Sequence, residues 1–298
     1  MTDIARRLRS GGILAGTPIA TPAGRKPVET LQIGDLVETE YGGLNPIRWI
    51  GWRRHSAAEV QAHPGLAPIR IDPDALDDDI PTRPLRLARC HGVSIDGAFI
   101  HAKRLINGAS VVIEPVTGDI TYYQIELDEH EAIIAAGGAV ESLFEADDHS
   151  VFDNAGSYPG ARPGTPTLCL PRMDEGFILQ ATQQRINERA GLETPPPPPH
   201  GTLHGFVDEA GPRFVAGWAQ DKDNPEEPVC LDILVDGVRI LRSLANLYRE
   251  DLEAAGLGSG NHGFVGELPP DVSGVVEVRR TIDQLKLPFT NEVKQASE

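Results

Sequence analysis

Between residues 11 and 155 the chain meets a turn signal about every 8–12 residues, and this rhythm limits what the segment can fold into. Pro22-Ala23-Gly24, Gly34-Asp35, Tyr41-Gly42-Gly43 and Asp96-Gly97 each interrupt a short run of β-prone residues. The runs themselves are Ile13 to Thr21, Pro27 to Val37, Ile47 to Trp52, Ala67 to Ile71, Leu85 to Leu87, Gly92 to Ile95, Ala109 to Glu114, Ile120 to Leu127 and Glu131 to Ala135. Long helices have no room here; only Ala57 to Ala62 and Ala102 to Ile106 read as helical, and both are short. The 31 glycines and 25 prolines in 298 residues fit a turn-rich, mainly β chain. In Ile47-Arg48-Trp49 the strand period sends Ile47 and Trp49 to one face and Arg48 to the other, so the two apolar residues are expected inside.

The pattern then changes. Residues 156–167 read as a loop, and Phe177 to Ala190 reads as a helix that Gly191 can stop. Pro195 to Pro199 is a run of five prolines, a stiff spacer of roughly 15 Å at about 3.1 Å per residue. Beyond it, strands are expected at Leu203 to Asp208, Phe214 to Ala219, Val229 to Val235 and Arg239 to Leu241, with Asp236-Gly237 as a hairpin turn. A helix is expected over Leu247 to Ala255, then strands at Gly263 to Leu268 and Gly274 to Ile282. The expected division is therefore an all-β domain over 11–155, a linker over 156–200 with one helix and the proline run, and a small β-sandwich-like domain over 201–290.

The charge narrows the partners. Lys and Arg number 27 against 44 Asp and Glu, a net charge of -17, and neither half is basic. Nucleic acid and anionic membrane surfaces therefore find no electrostatic footprint. No apolar run approaches the roughly 18 residues of a membrane span. Arg6, Arg7 and Arg9 are followed by no apolar segment long enough for a classical signal peptide, which leaves the cytoplasm or export by a non-classical route. Cys90, Cys169 and Cys230 are scattered and odd in number, with no metal-ligand spacing.

Several local patterns suggest chemistry and lose it on inspection. Gly256-Leu257-Gly258-Ser259-Gly260 follows a helix and opens none, so it lacks the phosphate cradle of a nucleotide loop and reads as a helix stop with a turn. The acidic stretch from Asp72 to Asp79 and the group Asp221, Asp223, Asn224 lack the remaining features of a calcium loop. The nine histidines form no zinc-binding pair on one helix. No cofactor and no metal are expected. Cys90-His91 places a thiol beside an imidazole, but on a strand adjacent side chains point to opposite faces.

A family resemblance covers the first domain. Gly16-Thr17-Pro18-Ile19-Ala20-Thr21-Pro22-Ala23-Gly24, Pro27-Val28-Glu29-Thr30-Leu31, Gly34-Asp35-Leu36-Val37 and Ile47-Arg48-Trp49-Ile50-Gly51 occur in an order that resembles the Hint domain of hedgehog proteins and inteins, above all its bacterial branch. Leu87 to Val93, Leu105-Ile106-Asn107-Gly108, Tyr122 to His130 and Glu141-Ser142-Leu143-Phe144 continue it, over about residues 12–155. The resemblance implies an all-β horseshoe and an intramolecular acyl shift. In that chemistry a Cys or Ser at the start of the domain attacks the preceding carbonyl. A Thr/Ser-x-x-His motif polarises the amide and protonates its nitrogen, which otherwise leaves poorly.

At the reacting positions this chain departs from the pattern the resemblance implies. The nucleophile position is Gly12, the Thr/Ser position is Ala88, and Gln124 stands where bacterial relatives often carry a His; His91 remains as the catalytic candidate. Ser10 shares a face with Gly12 in an extended chain but is displaced by about 6.6 Å, beyond an attack distance of about 3–3.5 Å. The expected function is a catalytically degenerate autoprocessing scaffold, a binding or presentation module with an unidentified protein or carbohydrate partner. The alternative is residual self-cleavage or self-splicing by an N-to-S/O acyl shift using His91 with Ser10 or Cys90. Restoring Gly12→Cys with Ala88→Thr is expected to bring back thiol-dependent cleavage if the rest of the site survives. The segments Gly217-Trp218-Ala219, Tyr248 to Leu252 and Gly260 to Phe264 resemble a small bacterial module fused to glycosyltransferases and Hint domains. There Trp218 and Tyr248 either stack on a sugar or serve packing.

Overall fold

The structure is a computed structural model, and it describes residues 10–40, 42–162, 165–174, 176–193, 201–225, 227–269 and 273–290. The proline run at 195–199 lies outside the described residues. Two compact units emerge: Met1–Asp174 with Thr182–Thr194, and Glu175–Ala181 with Pro195–Glu298.

The first unit is built from short antiparallel strands. They are β1 (Ile13–Leu14), β2 (Pro18–Thr21), β3 (Gly24–Pro27), β4 (Leu36–Glu38), β5 (Leu44–His55), β6 (Ile69–Ile71) and β7 (Leu85–Leu87). They continue with β8 (Gly92–Ile95), β9 (Ala98–His101), β10 (Val111–Ile113), β11 (Ile120–Leu127), β12 (Ala132–Ala135) and β13 (Gly138–Glu141). One sheet runs β10-β6-β7-β1-β11-β5-β4 and the other β3-β2-β12-β13-β8-β9. Helix α1 (Ala57–Ala62) forms where expected because Ser56 and Glu59 cap each other reciprocally: each side chain accepts from the other's backbone N–H. The second short helix expected, Ala102 to Ile106, is a single 3-10 turn at Ala102–Arg104.

The long strand β5 carries much of the core. Ile47 and Trp49 are buried, and Arg48 points to the other face. There its guanidinium meets the buried Glu126, which also binds His149 Nε2 at 2.6 Å. Trp49 Nε1 donates to Ser157 Oγ at 3.1 Å, and its ring meets Phe152 and Tyr158 edge-on at 5.3 Å each. A Cβ at Gly51 would lie 2.6 Å from the Trp49 ring and 2.7 Å from Phe152, so only glycine lets these rings close over the strand. The period of β5 then carries Arg53 and His55 to the same buried side as Trp49.

Helix α2 spans Gly176–Arg189, close to expectation. Its second half does more than link. Arg185 pairs with the buried Asp96, Thr182 Oγ1 donates to Asp96 Oδ2, and Arg189 pairs with Asp78.

The second unit has β14 (Leu203–Ala210), β15 (Phe214–Asp221), β16 (Val229–Val235), β17 (Val238–Ala245), β18 (Leu247–Tyr248), β19 (Asn261–Glu267) and β20 (Val276–Arg280). A four-stranded sheet, β14-β15-β19-β18, and a three-stranded one, β17-β16-β20, enclose Val207, Val215, Leu231, Ile233, Phe264 and Val278. Asp236 and Gly237 take positive φ angles of 50° and 81° at the hairpin tip. The helix expected over Leu247 to Ala255 is shorter. Leu247 and Tyr248 are drawn into a strand against β19, and α3 occupies only Glu250–Ala254, with acidic residues in its first turn.

Candidate functional site

Strand β1 is hydrogen-bonded to β11 on one side and β7 on the other, with Leu14 opposite Tyr122 and Ile13 opposite both Tyr123 and Leu87. The two residues ahead of it, Gly11 and Gly12, therefore run into the middle of the unit. The Gly12 N–H donates to His91 Nδ1 at 2.9 Å, and the Gly12 carbonyl accepts from Ala88 N at 2.8 Å. Arg53 Nη2 donates to the Gly11 carbonyl and, at 3.1 Å, to the Ser10 carbonyl. The Gly11–Gly12 amide is thus held at its nitrogen by an imidazole and at its oxygen by a guanidinium.

The electrostatics follow from burial. Arg53 is 1 % exposed, and its guanidinium lies 5.6 Å from the centres of the Tyr122 and Phe152 rings. His91 is equally buried, and burial, with the nearby Arg53 charge, depresses its pKa to about 4 against the opposing pull of Glu141. At neutral pH the ring is uncharged. Since Nδ1 accepts from Gly12, its proton sits on Nε2, which has no hydrogen-bond partner among the described residues. The nitrogen facing the amide thus has a lone pair and no proton to give.

The positions of the expected site residues divide sharply. At Gly12, the position the resemblance assigns to the nucleophile, a Cβ would lie 2.7 Å from Tyr122 Cβ. That approach weighs against a thiol at position 12, since β11 occupies the space where its side chain would begin. Ala88 lies among Val60, Leu66, Ala67, Ile120 and Tyr122, an apolar cluster that a threonine hydroxyl would enter. Gln124 is buried beside Gly11, and its Oε1 has no hydrogen-bond partner among the described residues. Ser10 and Cys90 line a cavity of about 290 Å³ on the Gly11 side, with His101, Gln124 and Arg172. Cys90 precedes β8 in a turn, with Lys103 Nζ 3.5 Å from its sulfur, while His91 turns inward to Gly12. In the second unit, Trp218 is buried, with the His204 and Phe206 rings tilted against it at 4.9 and 5.8 Å, and exposed Tyr248 donates to Glu253 at 2.6 Å. Among the described residues no cluster of three His, Cys, Asp or Glu is placed to hold a metal ion, and no helix is long and apolar enough to cross a membrane.

Comparison with known families decides what this clasp belongs to. The model of the Hint domain matches residues 12–147, a span that begins at Gly12. Residues 12–147 are a Hint domain. Solved structures similar to it include the bacterial intein-like domain from Clostridium thermocellum, 14 % identical, covering 44 % of this chain and 98 % of that one with a TM-score of 0.33. The MchDnaB-1 intein (14 % identity, 44 % and 99 % coverage, TM-score 0.30) and the gp41-1 intein (12 %, 44 % and 98 %, 0.31) are similar to the same extent. No curated protein matches the chain. Two residues that shape this Hint domain's site receive no role from its motifs, although Tyr122 opens the matching run Tyr122 to His130. Arg53 carries a signal all the same, since it falls in phase with Ile47, Trp49 and Gly51 on the apolar side of β5. Nothing in the matching run points Tyr122 at Gly12, because only the register of β1 on β11 brings it there.

Proposed function

We propose that this Hint domain holds its own Gly11–Gly12 amide without cleaving it and serves as a binding or presentation module. The observation that carries the reading is the Tyr122 Cβ standing 2.7 Å from where a side chain at 12 would begin. No nucleophile reaches the Gly11 carbonyl from that position, and His91 is the wrong proton carrier at neutral pH. What remains of an acyl-shift site, a donor on the carbonyl and a partner on the nitrogen, then binds the segment and does no chemistry on it. The proposed layout is the Hint domain over 11–155, a linker over 156–200 and the β module over 201–290, with a protein as partner in preference to a sugar because Trp218 is spent on packing.

One observation favours the alternative, self-cleavage by an N-to-S/O acyl shift: Ser10 and Cys90 both face the cavity beside Gly11. Intact mass of the chain expressed with an upstream fusion separates the two. The scaffold reading expects one uncleaved species after prolonged incubation with and without a thiol. Fragments parted near residues 10–12, and lost in Ser10→Ala, Cys90→Ala or His91→Ala, would establish the enzyme.

A further inference from the structure

The contacts that hold the Ser10–Gly12 segment share one property: each is made to main-chain atoms. Arg53 takes the carbonyls of Ser10 and Gly11, His91 takes the N–H of Gly12, and the N–H of Ala88 takes the carbonyl of Gly12. Side chains are excluded in two separate ways. A Cβ at Gly11 would lie 2.9 Å from His91 Nδ1 and 3.1 and 3.2 Å from the Gln124 amide oxygen and nitrogen. A Cβ at Gly12 would strike Tyr122 Cβ. At 2.7 and 2.9 Å something must move, and at 3.1 and 3.2 Å the Gln124 amide must give by a few tenths of an ångström. The walls are polar and buried: His91 and Arg53 are each 1 % exposed, Gln124 is 4 % exposed, and Gln124 Oε1, beside Gly11, has no hydrogen-bond partner among the described residues. A cleft built from buried hydrogen-bonding side chains, with no allowance for a Cβ at two successive positions, reads backbone and the absence of side chains.

We propose that this cleft is a recognition site for an extended peptide carrying two successive glycines, filled here in cis by Gly11-Gly12 and able to take a Gly-Gly segment of another chain in trans. The proposal rests on the non-cleaving reading above and names what the module binds. His91 and Gln124 select glycine at the first position, and Tyr122 selects it at the second. Arg53 and the Ala88 N–H supply affinity without regard to sequence, since hydrogen bonds from a buried cation to carbonyls are among the stronger ones.

The test uses the full chain carrying Gly11→Ala, whose added methyl crowds His91 and Gln124 and weakens the hold on its own segment, and a fluorescent peptide acetyl-Arg-Ser-Gly-Gly-Ile-amide followed by anisotropy. The peptide should bind this variant at least about tenfold more tightly than the unmodified chain, whose cleft is full. It should also bind at least about tenfold more tightly than the same peptide with alanine for its first glycine. Adding Gln124→Ala to the variant should narrow that preference. Gly12→Ala, which displaces the segment through Tyr122 instead, should open the cleft in the same way; thermal melts verify that each variant is folded. Equal binding of the glycine and alanine peptides, or no binding to folded Gly11→Ala and Gly12→Ala chains, overturns the proposal. Failure of the underlying reading looks different: it appears as cleavage of the unmodified chain in the intact mass.

Discussion

The N–H of Gly12 donates to Nδ1 of His91 across 79 residues of sequence, at 2.9 Å and away from solvent. This contact fixes the tautomer of the ring while burial keeps it uncharged, and most of the expected behaviour of the site follows from the two together.

The first consequence is a pH dependence. His91 has a folded pKa of about 4, below the ordinary value of 6.5, so the unfolded chain takes up a proton that the folded one refuses. Stability from this source is fully present above pH 6.5 and falls as pH drops from there towards 4, by an amount on the order of 3 kcal/mol. Urea unfolding at intervals from pH 7.5 to 4 should show that decline, and His91→Gln should flatten it. Parallel declines in both proteins would mean that other groups carry the effect.

Gly12→Cys with Ala88→Thr should not cleave an upstream cargo. The thiol's Cβ meets Tyr122, a misfit of the kind that costs about 1–3 kcal/mol, and the threonine hydroxyl enters an apolar cluster. Mass spectrometry with a thiol present should find the fusion intact, and the double variant should melt below the parent. Efficient cleavage would show that β11 yields more readily than its packing implies.

Glu126 is 1 % exposed, accepts from Arg48 and lies 2.6 Å from His149 Nε2. Glu126→Leu leaves the Arg48 charge without its counter-ion and should cost about 3–5 kcal/mol. The cost should be concentrated where His149, Phe152 and Tyr158 cover Trp49, so the fluorescence of the variant should shift to the red before the global transition. A variant as stable as the parent, with unchanged emission, would remove Glu126 from this role.

Limited proteolysis should cut within residues 156–200 and yield two stable fragments, as the proposed layout requires. Helix α2 should be protected in its second half, where Arg185 and Arg189 are bound to Asp96 and Asp78. Early cuts spread through both halves of the chain would count against the layout.

The parts of the fold legible in the sequence were those written locally. Alternation placed Ile47 and Trp49 inside and Arg48 outside, and glycine after aspartate marked the turns at 96–97 and 236–237. Where local preference competed with pairing, pairing won: Leu247 and Tyr248 belong to a strand because β19 offers an edge, whatever their helical surroundings suggest. In the site, the family motif led to His91, Gly12 and Ala88, whose spacing is short-range or fixed by the fold. Arg53 and Tyr122 reach Gly11 and Gly12 from strands 42 and 110 residues away, and nothing but the sheet register brings them there.

On the proposed non-cleaving reading, Tyr122 gives the site the character of a ratchet. With its Cβ against Gly12, a chance return of cysteine or serine at position 12 brings a steric penalty before it brings any chemistry. A change at Tyr122 alone opens a gap beneath β1 and forfeits the hydrogen bond from its hydroxyl to Leu66 O. Both single steps named here are expected to lower stability, so on that reading a route to self-cleavage needs changes at positions 12 and 122 together.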